Sequence, residues 1–227
     1  MILYVNGDSH SAGAEAVNSF CFAQDDPALA HLRDIPHPDN IPHSFGYKLA
    51  NILNAGFTTD AISSASNDRI LRTSKQFLET HPSTNIFLLI GWSSPEREEW
   101  YYNERYYQVN GSGMDTVPDE LVEQYKNFVA GCDKQHYGKK ITIWEDKIYN
   151  FHLELKEKSI KHLFFNTMTQ LYTHKNWGDN YILDPYCDWL KTNGYKTKHA
   201  GSYHYGPDGH TAWAKHLLPH IRKILES

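Results

Sequence analysis

The residues best suited to chemistry lie directly after the first predicted strand. Residues 1–5 are apolar and predict a strand, and the Asn-Gly-Asp turn that follows places Ser9 at the start of a helix. In an open parallel sheet, ligands bind at the carboxyl ends of the strands. A serine at such a turn presents its hydroxyl and its own backbone N–H, so Ser9 is a candidate nucleophile and oxyanion donor. The alternative is that Asp8 and Ser9 only cap the helix.

A second candidate lies near the other end of the chain. The run at 201–210 has the sequence GSYHYGPDGH, in which Pro207 fits the first turn of a last helix. His204 then falls in the loop before that helix, from which a histidine can reach the carboxyl edge of the sheet and accept a serine proton. The alternative is a solvated loop histidine.

The elements that must position these residues indicate an α/β fold. The apolar run at 86–90 ends in Gly91 and is typical of a parallel strand covered on both faces. Because strands and helices alternate, we expect a three-layer α/β/α sandwich with a central, mostly parallel sheet. We predict one domain over residues 1–227, with an irregular aromatic insertion around 92–118. The predicted helices cover residues 9–16, 45–53, 66–80, 118–129, 140–155 and 207–225, and the predicted strands cover residues 1–5, 57–62, 86–90 and 160–165.

Four segments, in order along the chain, resemble the blocks of the SGNH (GDSL-type) hydrolase family. Gly-Asp-Ser at 7–9 resembles block I, with Ser9 in the nucleophile position. Residues 63–70 and 89–94 resemble blocks II and III, and residues 204–210 resemble the late His-Pro-x-x-x-Gly-His stretch in outline. The resemblance implies a flavodoxin-like SGNH fold, a serine esterase without a cofactor, and His204 as the general base, with His210 as a helix residue.

The chain departs from the family pattern at three positions. Ser93 stands where the family has an oxyanion-hole asparagine, and a hydroxyl has less reach than an amide. Ser64 stands in place of a glycine, although its backbone N–H can still donate. Gly201 occupies the place of the triad acid, so another group must orient His204. The candidates for that group are Asp184, Asp188, Asp208 and a backbone carbonyl.

The resemblance also implies an oxyanion hole and contacts with substrate. Backbone N–H groups of Ser9 and Ser64 would hold the oxyanion, with help from Ser93 or Asn67. The predicted substrate-binding residues are Asp8, Trp92 and Arg69.

Arg69 and two neighbouring segments have more than one interpretation. Arg69 is either a clamp for an anionic substrate group or the partner of a nearby carboxylate. The aromatic segment at 100–107 suits stacking against sugars, but also the packing of a lid. The charged run at 95–99 is more typical of a solvated helix start than of a site. The carboxylates considered for Arg69 are Asp68, Glu96 and Glu98.

Composition excludes several classes of function. The chain has 22 basic and 27 acidic side chains, a net charge of −5, which argues against nucleic-acid binding. Three cysteines without paired spacing argue against a disulfide framework. No apolar stretch of about 18 residues predicts a membrane span. The 14 histidines include a helical pair, His216 and His220, but no metal-binding motif, so we expect no metal.

The sequence therefore predicts an SGNH-type esterase that acts on a small-molecule or glycan ester, with deacetylation of a carbohydrate as one candidate reaction. Acyl transfer to an alcohol would have the same sequence features. The alternative is a catalytically weak or inactive scaffold that binds a glycan or a protein. The first residues show no signal peptide, which favours a cytoplasmic protein; a virion or a signal-independent export route would give the same pattern. No motif indicates the oligomeric state.

Overall fold

A parallel sheet of four strands, in the order β2-β1-β3-β6, forms the centre of the structure. The structure is a computed structural model that describes residues 1–81, 85–168 and 175–227. The strands are β1 (Ile2–Gly7), β2 (Gly56–Thr59), β3 (Ile86–Trp92), β4 (Glu98–Tyr102), β5 (Arg105–Val109) and β6 (Lys161–Asn166). The helices are α1 (Ser9–Ala12), α2 (Phe45–Ile52), α3 (Asn67–Thr80), α4 (Val122–Gly131), α5 (Lys134–Glu157), α6 (Tyr186–Thr192) and α7 (Pro207–Glu226).

Helices cover both faces of this sheet because side chains alternate along each strand. On one face, Leu3 of β1 belongs to a core cluster with Phe45 of α2 and Trp213 of α7. On the other face, Tyr4 stacks on Phe77 of α3 at 4.0 Å between ring centroids, in a core that α5 also covers. The predicted three-layer α/β/α sandwich is confirmed. Its strand order begins like that of flavodoxin-like folds.

The aromatic segment forms a regular hairpin, where the sequence predicted an irregular insertion. β4 and β5 pair in antiparallel fashion around Asn103 and Glu104, whose φ angles of 45° and 60° fit a type I′ turn. The prediction missed this turn because it lacks the usual glycine. Trp100 packs edge-on against Phe128 of α4, at 5.9 Å between ring centroids, so the hairpin has a small hydrophobic cluster of its own. The single domain over residues 1–227 stays a prediction.

Two helices differ from the sequence prediction away from the sheet edge. α5 begins at Lys134, earlier than predicted, because Asp133 caps it by accepting the backbone N–H of His136 at 2.7 Å. α6 had no predicted counterpart, since a helix this short shows little apolar periodicity. Its Tyr186 and Leu190 are nevertheless buried, in the same core cluster as α7.

The first helix ends earlier than predicted, and this early end leaves the carboxylate of Glu15 outside the helix. α1 ends after Ala12 because Gly13 adopts a left-handed φ of 74° and donates its N–H to the carbonyl oxygens of Ser9 and His10. Glu15, with a φ of 58°, therefore lies outside any helix. The chain at this point contacts the loop before α7.

Candidate active site

Ser9 lies at the turn from β1 to α1, at the carboxyl edge of the sheet. Gly7 permits this turn, since its φ is 151° and a Cβ there would lie 2.7 Å from the carbonyl oxygen of Gly91. Asp8 caps α1 by accepting the backbone N–H of His10 at 3.1 Å. The backbone N–H of Ser9 belongs to the first turn of the helix, where such groups have no helical acceptor. It has no backbone acceptor among the described residues.

His204 reaches the same edge from the loop before α7. Its carbonyl accepts the backbone N–H of Lys198 at 2.9 Å, which closes the loop. The ammonium group of Lys198 donates to the carbonyl oxygen of Ala16 at 3.2 Å and so holds this loop against the segment after α1. Ser9 and His204 both line a cavity of about 390 Å³, here called the serine cavity, together with His10, Ser64 and Arg97.

Glu15 supplies a carboxylate that the sequence analysis did not find. Its Oε2 lies 3.1 Å from Nδ1 of His204, at ion-pair distance, although the ring N–H is not aimed straight at it. Oε2 also accepts the hydroxyl of Ser202 at 2.5 Å, and that hydroxyl accepts the backbone N–H of His204 at 2.9 Å. Partial burial opposes ionisation, but Ser202 and His204 lower the pKa of Glu15 below its usual value.

The acids proposed from sequence to orient His204 have no such contact. No ion pair joins any of them to His204 in the described ranges. Glu15 was missed because the sequence analysis placed it within a helix that continued past Ala12. The signal that could have found it is Gly13, a typical helix terminator, directly before it. The acids without this contact are Asp184, Asp188 and Asp208.

The two predicted catalytic side chains share a cavity but do not touch. No hydrogen bond joins Ser9 Oγ to His204 in the described part of the chain. Such bonds are often long without substrate and tighten in the reacting complex. His10 is a less suitable base, because burial lowers its pKa to about 4. Its Nε2 lies 3.5 Å from Sγ of Cys187, within the protein interior.

Ser93 and Asp8 bind each other at the end of β3. The Ser93 hydroxyl donates to Oδ2 of Asp8 at 3.0 Å, so its single proton is engaged away from an oxyanion. The same carboxylate oxygen accepts the hydroxyl of Thr167 at 2.8 Å. Asp8 is fully buried, which corrects its predicted role in substrate binding. Its side chain holds the turn that contains Ser9.

Ser64 and Asn67, the other predicted oxyanion donors, occupy different surroundings. Asn67 is buried, and its amide makes two hydrogen bonds with the backbone of Ser93, donating at 3.1 Å and accepting at 2.8 Å. Ser64 lines the serine cavity and has a φ of 62°, a conformation that favours glycine. Its N–H donates to no backbone acceptor among the described residues. Both roles in oxyanion binding stay predictions.

Arg97 approaches the position at which the family pattern has an amide side chain. Its Nη1 donates to Ser93 Oγ at 2.9 Å and lies 3.5 Å from Oδ2 of Asp8. Nη2 lies 3.9 Å from the sulfur of Met168. A guanidinium has five N–H donors, so donors are left for the serine cavity, which Arg97 lines. Sequence reasoning missed this residue because it lies within a charged run that looked solvated.

Trp92 does not contribute to a binding surface. Its side chain is fully buried and packs edge-on against Phe164 and Phe151, at 5.4 Å and 6.4 Å between ring centroids. Its predicted contact with substrate is therefore wrong. The apolar strand β3 extends through Trp92, further than its sequence pattern indicated.

Arg69 lines a second and larger cavity of about 500 Å³, here called the arginine cavity, together with Arg72, Tyr106 and Tyr107. Ser63 and Ser64 line both cavities, so the two adjoin at this loop. Of the aromatic segment, Tyr106 is on the face of the hairpin whose other residues, Glu99 and Gln108, also line this cavity. Tyr107 is on the opposite face, across from Trp100, which packs inside. None of the carboxylates considered from sequence pairs with Arg69 in the described ranges. Those carboxylates are Asp68, Glu96 and Glu98.

One group of metal-ligating side chains occurs at this edge. Glu15, Cys21 and His204 each offer a ligand atom, and these atoms lie within 4.8 Å of one another. A carboxylate, a thiolate and an imidazole are ligands that suit Zn²⁺. Burial raises the pKa of the Cys21 thiol, however, which opposes the thiolate form. The expectation of a site without metal stays a prediction.

Comparison with known proteins gives a family without an assigned function. The sequence model of a family of unknown function (DUF6071) matches residues 22–160, more than half of the chain. The chain belongs to this family. The DUF6071 match includes Ser64, Arg69 and Arg97. Ser9 lies before its first residue and His204 lies after its last. A search of the curated proteins finds no match.

Two solved structures resemble the chain at low sequence identity. One is described as a lipolytic protein of the G-D-S-L family from Desulfitobacterium hafniense DCB-2, with 14% identity, a TM-score of 0.39, and 96% of this chain and 98% of that chain covered. The other is a carbohydrate esterase whose active site is described as having divergent catalytic and non-catalytic binding functions. It has 13% identity and a TM-score of 0.45, and 98% of this chain and 64% of that chain are covered.

No helix in the described part of this DUF6071 chain is both long enough and apolar enough to cross a membrane.

Proposed function

We propose that the protein is an ester hydrolase of the SGNH type, in which Ser9 is the nucleophile, His204 the general base and Glu15 the acid that orients the base. The observation that carries this proposal is the 3.1 Å distance between Glu15 Oε2 and His204 Nδ1, beside a cavity that Ser9 also lines. His204, from near the other end of the chain, shares a cavity with Ser9 and has Glu15 at ion-pair distance, which supports these roles in a serine hydrolase.

The position of Glu15 assigns the two ring nitrogens of His204 different roles. An ionised carboxylate only accepts hydrogen bonds, so in the proposed mechanism Nδ1 would carry the proton and Nε2 would be the base. Ser9 Oγ would attack the ester carbonyl carbon while its proton passes to Nε2. The imidazolium, stabilised by Glu15, would return that proton to the leaving alcohol. Water, activated by the same nitrogen, would then hydrolyse the acyl-enzyme.

The oxyanion of each tetrahedral intermediate needs donors at the edge of the serine cavity. We assign this role to the backbone N–H groups of Ser9 and Ser64 and to the guanidinium of Arg97. A cationic donor makes a stronger hydrogen bond than a neutral amide. Arg97 would in this way replace the donor that Ser93 cannot supply while its hydroxyl is bonded to Asp8.

An acylated carbohydrate is the substrate class that we favour, and no cofactor takes part in these steps. Tyr106 lines the adjoining cavity, as Ser64 does, and an aromatic ring suits the apolar face of a sugar. A small-molecule ester would use the serine cavity alone.

The nucleophile can be tested with p-nitrophenyl acetate and a matched pair of variants. We expect Ser9→Ala to lower kcat/KM by about 10³-fold or more, since it removes the attacking atom. Ser11→Ala is the control, because Ser11 belongs to the same short helix and is buried away from the described cavities. We expect it to change turnover only a few-fold.

A fluorophosphonate probe separates this proposal from a binding scaffold without activity. The probe should label the wild type and Ser11→Ala, and should leave Ser9→Ala unlabelled. Full turnover in Ser9→Ala would reject Ser9 as the nucleophile. A wild-type protein that is neither labelled nor active would favour the binding module instead.

A further inference from the structure

The arginine cavity contains more positive than negative charge, although the protein as a whole is acidic. Glu99 lines this cavity but is neutralised by Arg72, whose Nε and Nη2 donate to its two oxygens at 2.8 Å and 2.7 Å. The side chain of Glu99 is only 4% exposed, so it has little capacity left for a ligand. Arg69 is the cation next to this satisfied pair.

Arg69 has a charge without an ion-pair partner in the described ranges. Its Nη1 donates to the carbonyl oxygen of Asp60 at 2.5 Å, and no carboxylate lies within ion-pair distance of it. Burial lowers the pKa of Arg69, while Asp60 and Glu99 oppose that shift. A guanidinium stays protonated at neutral pH despite such shifts. The guanidinium of Arg69 is thus left with donors that have no charged acceptor, and Arg69 lines the arginine cavity.

The other charged side chains that line the arginine cavity are one acid, Asp34, and one base, Arg105, so the excess of positive charge remains. The side-chain oxygen of Gln24 accepts the backbone N–H of Asp34 at 2.5 Å, so the NH₂ group of Gln24 is the part left for a ligand. Gln108 uses its oxygen on the backbone N–H of Ser66 and its NH₂ on Glu99, so it is already satisfied. A ligand for this cavity therefore needs acceptor oxygens.

One tyrosine ring, that of Tyr106, belongs to the side of the cavity that the hairpin provides. The guanidinium of Arg72 lies over this ring at 3.9 Å from the centroid, which holds it in place. Tyr107 also borders the cavity, but its side chain is on the opposite face of the hairpin, the face of Trp100. A ring beside an unpaired guanidinium suits a ligand that combines an apolar ring with an anionic group. The volume of about 500 Å³ is that of an ordinary ligand pocket.

We infer that the arginine cavity binds a sugar ring that carries a carboxylate, with Arg69 holding the carboxylate through its free guanidinium donors and Tyr106 contacting the ring. The planar fork of a guanidinium matches the two oxygens of a carboxylate. Because Ser63 and Ser64 line both cavities, a unit bound here would lie next to the unit at Ser9. The substrate would then be an acylated glycan that contains a uronate, an assignment that rests on the proposed function.

Isothermal titration calorimetry with two matched probes tests this inference without any ester chemistry. p-Nitrophenyl β-D-glucuronide carries the carboxylate, and p-nitrophenyl β-D-glucoside is its neutral counterpart. We expect the wild type to bind the glucuronide about tenfold more tightly or better, as a charge-assisted pair with Arg69 requires. Arg69→Gln should abolish this preference, and Arg69→Lys should retain part of it.

Lys75→Gln is the control variant. It removes a positive charge from the same helix, at an exposed position where Lys75 pairs with Glu154. It should leave the preference for the glucuronide unchanged. Equal binding of the two probes by the wild type would overturn the inference, and so would a preference that survives in Arg69→Gln.

The result is independent of the proposed reaction. If Ser9-dependent turnover of p-nitrophenyl acetate is found but the probes bind equally, the esterase stands and this inference fails. If the preference for the glucuronide depends on Arg69 but no ester is cleaved, the cavity is a uronate site on a protein that is not an esterase.

Discussion

Two pairs of side chains with a histidine in each show how surroundings decide what a histidine does. His204 lies beside the serine cavity, with the carboxylate of Glu15 at 3.1 Å from its Nδ1. His152 and His162 lie in the core between α5 and β6, where Nδ1 of His152 is 2.8 Å from Nε2 of His162. In both pairs the contact is made through a ring nitrogen, but only His204 has an anionic partner.

The core pair is held in a neutral form by its hydrogen bonds. Nδ1 of His162 donates to the carbonyl oxygen of Ile160 at 2.8 Å, so its Nε2 is the acceptor for the Nδ1–H of His152. A proton on Nε2 of His162 would place two N–H groups against each other. Burial, moreover, lowers the pKa of each histidine to about 4.

His204 differs because its partner is a carboxylate, and because its Nε2 has no hydrogen-bond partner in the described ranges. A buried network thus fixes a tautomer for structure, whereas in the proposed mechanism a carboxylate at a cavity edge fixes one for reaction.

The largest expected effect comes from giving His204 a neutral partner, as in the core pair. Glu15→Gln keeps the shape of the side chain. Its neutral amide, however, can stabilise the wrong tautomer of His204 and cannot stabilise the imidazolium. By analogy with other triads, we expect kcat for p-nitrophenyl acetate to fall by about 10³–10⁴-fold, with little change in KM. Steady-state kinetics measures this, and the melting temperature shows whether the fold is intact.

Glu104→Gln is the matched control for that experiment. Glu104 is an exposed residue of the hairpin turn and, like Glu15, has a positive φ. The same substitution there should leave kcat within about twofold. If Glu15→Gln retains the wild-type kcat, Glu15 does not orient the base.

Sequence predicted the layers of the fold better than the geometry of the site. The apolar runs at β1, β3 and β6 define a buried parallel sheet, and Ser9 and His204 follow from their places beside it. Glu15 could not be assigned because its role depends on the early end of α1 at Gly13. Arg97 could not be assigned either, because its guanidinium contacts Ser93 only as a result of the turn after β3. Such contacts between distant segments have no signature in local periodicity.

A smaller effect is expected when the core pair is broken. His162→Leu leaves the Nδ1–H of His152 and the carbonyl of Ile160 without their partner, which should cost about 1–3 kcal/mol of unfolding free energy. The double variant His152→Leu/His162→Leu removes one of these unsatisfied groups and should lose less than the sum of the single variants. Denaturant unfolding measures both, and esterase activity should be unaffected.

The smallest effect concerns how stability depends on pH. The pKa of His152 and of His162 is about 4 when folded, against 6.5 as the ordinary value, so the unfolded chain binds more protons between these limits. Their contribution to stability is therefore complete above pH 6.5 and is lost as the pH falls towards 4. His10 and His210, whose pKa values burial also lowers, add a loss of the same sign.

The double variant isolates the part due to the pair, because His10 and His210 are present in both proteins. Between pH 7.5 and pH 6.3, the two pKa shifts together amount to about 1 kcal/mol, because the ordinary value of 6.5 is only just crossed. We therefore expect the melting temperature of the wild type to fall by about 2–4 °C more than that of the double variant in a chain of this size. Scanning calorimetry at the two pH values measures the difference. Equal falls in both proteins would mean that the core pair takes up protons as readily when folded as when unfolded. The contrast between a neutral core pair and the carboxylate pair of His204 would then not hold.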